Sequence, residues 1–144
     1  MILVDSNVLL RRAKPTDPLY PTAMTAVYKL TIAGRSLFVV PQSLFEFWVV
    51  ATRPLANNGL GMSVPECHRE LTRVRNTFPV LFDEKSILDE WERIVLVHHC
   101  TGKPAHDARL VAAMKVHLIP SILTFNVADF QRYPGITVID PATV

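Results

Sequence analysis

Acidic side chains fall at several points in this 144-residue chain where solvation at a surface is a poor explanation for them. Asp5 directly follows the apolar run Ile2-Leu3-Val4. Glu46 sits inside Leu44-Phe45-Glu46-Phe47-Trp48-Val49-Val50-Ala51, a stretch apolar on nearly every side and expected to be a buried helix. A buried, unpaired carboxylate costs several kcal/mol or takes up a proton, and a cation beside it removes that penalty. Asp107 heads the stripe Leu110, Val111 and Met114, so it shares the face that turns toward a core. Asn126 and Asp129 follow the apolar run that ends at Thr124. Carboxylates brought close together repel unless they are protonated or share a cation. An oxygen-only set with open positions suits Mg²⁺ or Mn²⁺ and disfavours zinc.

Each position also has a structural explanation. Asp5 can cap the helix that follows it, as Asp, Ser and Asn all do well. Glu46 can pair with Arg53 or another basic group. Asp107 lies in a first turn, where the helix dipole favours negative charge, and Asn126 has the residue type of a cap. The joint pattern is harder to explain that way, because parallel strands would set all four positions on one rim of a sheet.

The elements that would hold them are legible. Strands are expected at 2–4, 37–40, 80–82, 121–124 and 136–139, and helices at about 20–33, 42–53, 63–77, 85–99 and 105–117. Strands apolar throughout suit a parallel sheet covered on both faces. Their alternation with helical stretches gives an α/β three-layer sandwich with a central parallel sheet of four to five strands. Open sheets of this kind bind ligands at the carboxyl ends of the strands, where Asp5 and Asn126 would lie. Ser63 and Glu66 have capping-box spacing, Pro104 suits a first helical turn, and Gly34 suits a helix end. Residues 54–62 read as an exposed loop. No repeat or composition shift marks a second domain, so residues 1–144 are expected to form one.

Composition excludes several classes. Hydrophobic residues make up 49% and charged residues 19%, the opposite of a disordered chain. A formal charge of +2 does not by itself indicate nucleic acid. Two cysteines, Cys67 and Cys100, give no disulfide framework, and no signal sequence or membrane-length apolar run is present, so a cytoplasmic location is expected.

Four segments in order resemble the PIN-domain proteins of the VapC toxin type, over almost the whole length. They are Met1 to Leu9 with Asp5, Pro41 to Arg53 with Glu46, His106-Asp107-Ala108 running through Ala112-Ala113, and Leu123 to Phe130 with its Asp129-Phe130 ending. The resemblance implies a PIN-like fold and Mg²⁺- or Mn²⁺-dependent hydrolysis of RNA, leaving 5′-phosphate and 3′-hydroxyl ends. It implies Asp5, Glu46, Asp107 and Asn126 as the catalytic set. Asp5 and Asp107 are then central metal ligands, Glu46 a ligand directly or through water, and Ser6, Thr124 and Asp129 supporting residues. Arg11, Arg12, Arg53, Lys103 and Arg109 are candidates to steer RNA. A cognate antitoxin and a homodimer are implied as partners. Asn126 departs from the Asp usual at its position, which weakens a second metal site and keeps open a PIN-like module that binds RNA or protein without cutting.

Two other chemistries fit poorly. Cys67-His68 and His98-His99-Cys100 lack the ligand spacings of zinc modules. A haloacid-dehalogenase-type phosphotransferase wants a second Asp two residues after the first, and Asn7 stands there.

Overall fold

In the computed structural model, which describes residues 1–144, the strand β1 (Ile2–Val4) is buried along its whole length. It pairs in parallel with β2 (Leu37–Phe38) on one side and β3 (Ser121–Leu123) on the other, and β3 pairs with β4 (Thr137–Ile139). The sheet has four strands in the order β2-β1-β3-β4. The chain therefore reverses direction across the sheet between β1 and β3, which opens a crevice at their carboxyl ends.

Seven helices complete the fold: α1 (Ser6–Ala13), α2 (Tyr20–Ile32), α3 (Pro41–Thr52), α4 (Val64–Thr77), α5 (Lys85–Val97), α6 (Pro104–Val116) and α7 (Val127–Phe130). They cover both faces, because neighbouring strand residues point to opposite sides. Ile2 and Val4 pack with Val8, Leu9, Ala23, Phe47, Ala51 and Cys67, from α1 to α4. Leu3 and Ile122 pack with Ile87, Ile94, Val111, Met114 and Phe130, from α5 to α7. The expected three-layer α/β sandwich is the observed one.

Several expectations are corrected. Val80 to Phe82 is not a strand: only Val80 bridges to Val39, and the chain turns outward at exposed Phe82. Pro79, with no N–H to donate, precedes this bridge. Helix α1 is the helix that Asp5 is expected to cap, though its residue pattern sets no range for it, since its amino end is Ser6-Asn7 and it spans only eight residues. Helix α3 is not buried all round, for Phe45 and Val49 are exposed while Phe47 and Ala51 fill the core. Its one-sided burial leaves Glu46 at a half-buried edge. The local signals hold well elsewhere. Ser63 and Glu66 form a reciprocal capping box, and Pro104 opens α6. Gly34 takes φ 74° after α2, with its N–H on the Thr31 carbonyl and that of Arg35 on the Leu30 carbonyl, which is the Schellman arrangement.

Residues 54–62 fold back on the end of α3 rather than hanging free. The N–H groups of Leu60, Gly61 and Met62 donate to the carbonyls of Val50, Arg53 and Ala51. Gly59 is buried in this turn, and a Cβ there would stand 1.9 Å from the Arg53 carbonyl oxygen. Gly59→Ala is therefore expected to destabilise the protein by about 1–3 kcal/mol, the usual cost of overpacking. Urea denaturation checks this, and an unchanged midpoint would show that the turn relaxes freely.

Candidate functional site

Asp5 lies at the mouth of the β1/β3 crevice as the cap of α1, and it is almost fully buried. Its Oδ1 accepts the Ser6 N–H at 2.7 Å and the Ser6 hydroxyl at 3.3 Å. Its Oδ2 accepts the Thr124 hydroxyl at 2.7 Å and the Asn7 side-chain amide at 2.8 Å. Thr124 in turn accepts the Asn7 amide at 2.9 Å and the Asn126 N–H at 3.0 Å. Capping and site-building are thus done by the same carboxylate. Burial raises its pKa from the ordinary 3.8 to about 6, against the lowering effect of the Thr124 hydrogen bond, and the negative field of Glu46 adds to the rise.

Glu46 reaches the same place from α3. Its Oε2 accepts the Ser6 hydroxyl at 3.0 Å, so one hydroxyl proton lies between two carboxylates. Its Oε1 accepts the Gln42 amide at 2.8 Å. Arg53, the pairing partner considered from sequence, is not bonded to it. Asn7 and Gln42 are the functional candidates that sequence reasoning missed. Gln42 precedes Glu46 by one helical turn, a pairing readable in principle from the i, i+4 spacing.

Asp107 stands half-buried in the first turn of α6. Its pKa is raised chiefly by burial, with Asp129 and Glu46 adding repulsion and Lys103 opposing it. The Lys103 ammonium lies 3.3 Å from Asp129 and feels Asp107 and Asp5 as well. Four carboxylates thus share one field with a single lysine among them. Asn126 is exposed, and its side chain makes no hydrogen bond within the site; its backbone opens α7.

The other cations do not form a free rim. Arg11 is paired with Asp17 at 2.7 Å, and Arg12 packs over the Phe78 ring, half-desolvated, with its pKa lowered by burial. At about 1.5 Å per residue, Arg12 is roughly 10 Å along α1 from Asp5. Arg53 ends α3. Arg109 is held by Asp83 at 2.8 Å and by Gln42 at 3.1 Å. Cys67 and Cys100 pack on opposite faces of the sheet.

The donor chemistry fits a hard divalent cation. All candidate donors are oxygens, carboxylates outnumber cations, and the Ser6 proton cannot serve Asp5 and Glu46 equally. As the side chains stand, no three of His, Cys, Asp and Glu converge tightly enough to hold one ion. Mg²⁺ rarely needs such a cage: it is usually held by one or two carboxylates and keeps several waters. Asp5 and Glu46 are the two carboxylates that the Ser6 hydroxyl bridges, and Asp107 lies within the field of Glu46.

Because the folded Asp5 carboxyl holds its proton more tightly than the unfolded one, ionising it opposes folding. Its stabilising contribution is complete below the ordinary value of 3.8 and is lost as pH rises through about 6. The shift corresponds to about 3 kcal/mol. Denaturation of metal-free protein from pH 3.5 to pH 7.5 is expected to show roughly this extra loss (~3 kcal/mol) in wild type relative to Asp5→Asn. Parallel pH profiles for the two proteins would refute it.

No family model and no curated protein sequence matches this chain. Solved structures do. FitAcB from Neisseria gonorrhoeae is 16% identical, with a TM-score of 0.72 over 100% of each chain. VapBC-1 from nontypeable Haemophilus influenzae is 15% identical, with a TM-score of 0.69 over 98% of each. VapC20 from Mycobacterium tuberculosis, a sarcin-ricin loop cleaving toxin, is 14% identical, with a TM-score of 0.63 over 85% of this chain and 87% of that one. At these identities the likeness concerns architecture, and the architecture is plain: this chain has the PIN-like α/β fold seen in the VapC toxins.

Proposed function

We propose that this protein is a Mg²⁺- or Mn²⁺-dependent endoribonuclease and the toxin of a VapBC-type toxin–antitoxin pair. The observation that carries the reading is the Asp5–Ser6–Glu46 bridge at the β1/β3 crevice, with Asp107 and Asp129 in the same field. The fold supports it, since similar chains occur in toxin–antitoxin complexes and one of them cleaves the sarcin-ricin loop.

Asp5 would hold the ion directly. Glu46, joined to Asp5 through Ser6, would take the direct role that the resemblance gives Asp107, and Asp107 would hold the ion directly or through water. When bound, the ion acidifies water for attack and offsets charge gathering on the phosphate. The chain's own groups do the rest. Thr124 and Asn7 fix the Asp5 carboxylate through Oδ2, while Oδ1 meets Ser6. The Ser6 hydroxyl joins Asp5 and Glu46, with one proton for two carboxylates, and a cation held by both would relieve that shortage. Lys103, 70% exposed and tethered only through Asp129, can swing to a phosphate of the incoming RNA. Arg11, Arg12 and Arg53 would bind RNA only at a distance from the reacting bond.

An antitoxin would cover exposed apolar surface. Leu44, Phe45, Trp48, Leu71 and Phe82 line a groove of about 760 Å³ between α3 and α4. A homodimer would cover other exposed apolar residues, such as Leu88, Leu96 and Val97 on α5. Helix α2 offers a similar surface, with Tyr28 and Ile32 exposed, whereas α4 turns Val74 and Cys67 into the core. No helix is long and apolar enough to cross a membrane, and the proposed site of action is the cytoplasm, where RNA lies.

A second reading, a PIN-like RNA- or protein-binding module without nuclease activity, is favoured by Asn126, which brings no charge to the site. Cleavage of a structured RNA by wild type and by Asp5→Asn separates the two. Wild type should cut with Mg²⁺ and stop with EDTA, and Asp5→Asn should be at least about 100-fold slower. Cutting that survives both treatments ends the proposal. Asn126→Asp should bind Mn²⁺ roughly tenfold more tightly, a difference of about 1.4 kcal/mol for one added carboxylate. Equal affinities in calorimetric titration would mean that position 126 does not face the ion.

A further inference from the structure

We infer that Arg109, braced by Asp83, acts through Gln42 as a positioning arm that sets the Glu46 carboxylate toward Asp5. The inference rests on the reading of Glu46 as an ion-binding residue, and it gives Arg109 a role other than contact with RNA.

The hydrogen bonds leave the Gln42 amide one orientation. Gln42 is buried in the first turn of α3. Its Nε2 donates to Glu46 Oε1 at 2.8 Å and to the His106 carbonyl at 2.9 Å, which uses both amide protons. Its Oε1 accepts from Arg109 Nη1 at 3.1 Å. Turning the amide over would set its oxygen against a carboxylate and a carbonyl, and its NH₂ against a guanidinium. Every contact would become repulsive. The guanidinium therefore decides which end of Gln42 meets Glu46.

Arg109 is itself held from outside. Its Nη2 donates to Asp83 Oδ2 at 2.8 Å, on the segment between α4 and α5. Two separate acceptors share its fork, and its charge is answered by Asp83. A cation so engaged is a weak candidate for a mobile phosphate contact and a good one for holding a neighbour still. Glu46 needs such holding. Its only other side-chain partner is the Ser6 hydroxyl, which the ion would displace, and the helix face beside it is open to water at Phe45. Once Ser6 lets go, the Gln42 amide is the remaining protein group that keeps Glu46 over the crevice.

If the chain merely tied α3 to α6, breaking it would lower stability and leave the folded protein's ion affinity alone. Positioning predicts the opposite emphasis. Arg109→Leu, Asp83→Asn, Gln42→Leu and the Gln42→Leu/Arg109→Leu double variant are compared with wild type by Mn²⁺ titration of folded protein. The side-chain amide resonances of Gln42 are followed in metal-free samples. The Gln42 signals are expected to shift and lose exchange protection in Arg109→Leu. Mn²⁺ affinity should fall about 10-fold or more there, within the range for groups that orient ligands. Asp83→Asn should shift both readouts in the same direction by a smaller amount. The double variant should be no worse than Gln42→Leu alone, because both residues act through one contact. Arg109 and Asp83 lie at the surface, so the test stands even if Gln42→Leu fails to fold. Wild-type Mn²⁺ affinity and unchanged Gln42 signals in Arg109→Leu, with RNA binding alone reduced, would overturn the arm and make Arg109 an RNA contact. Wild-type protein that binds no Mn²⁺ would overturn the reading of the site, and the arm with it.

Discussion

A carboxylate held in the sheet's one open crevice against its preference for water is the constraint around which this molecule is arranged. Asp5 is buried beside Glu46, and burial outweighs the donors supplied by Thr124, Ser6 and Asn7. Those donors are still what allow it to sit there. Four hydrogen bonds on two oxygens exhaust the usual acceptor capacity of a carboxylate. The weakest of them, from the Ser6 hydroxyl, is the one shared with Glu46. The site is thus complete on three sides and incompletely answered on the fourth, where a second acid faces in.

Topology brings this about cheaply. With β1 between β2 and β3, the carboxyl ends of β1 and β3 are adjacent, and the chain leaves them in opposite directions. Asp5 and Thr124 are therefore 119 residues apart in sequence and 2.7 Å apart in space. The same hydrogen bond that fixes the carboxylate also ties the first element of the fold to the penultimate strand. Loss of Thr124 would accordingly be felt both in the site and in the pairing of β1 with β3. Fold stability and the geometry of the Asp5 pocket are not separable at this edge.

Much of this was readable before any coordinates, and the reasons are local. Apolar runs without alternation announced β1, β2 and β3, and capping at Ser63, Pro104 and Gly34 marked helix limits that hold to within a residue or two. Elements whose signal is not periodic were lost or left without bounds. Helix α7 is a single turn, and α1 begins with polar residues whose side chains turn inward to the site. Val80 to Phe82 has strand composition but only one bridge, since pairing there depends on where β2 ends and not on its own residues. The acidic positions were legible because carboxylates near apolar runs are conspicuous. Their supporting amides, Asn7 and Gln42, were not, because an amide looks the same in sequence whether it faces water or a buried acid. The cations were the least legible. Proximity in sequence put Arg109 beside Asp107, but a helix turns about 100° per residue, so the neighbour of a site residue usually faces elsewhere.

The charge count around the crevice gives the departure at Asn126 a physical meaning. Asp107 is already lifted by burial and by repulsion from Asp129 and Glu46, with Lys103 as the counterweight. A fifth acid at position 126 would add negative charge to a group of four whose one lysine, Lys103, is engaged with Asp129. Either a second cation or a further proton would then be required. With Asn126 in place, the four acids Asp5, Glu46, Asp107 and Asp129 share one field with Lys103, and position 126 adds no further negative charge. The substitution thus need not signal a decayed site. An amide there limits the repulsion that Asp5, Glu46, Asp107 and Asp129 already exert on one another.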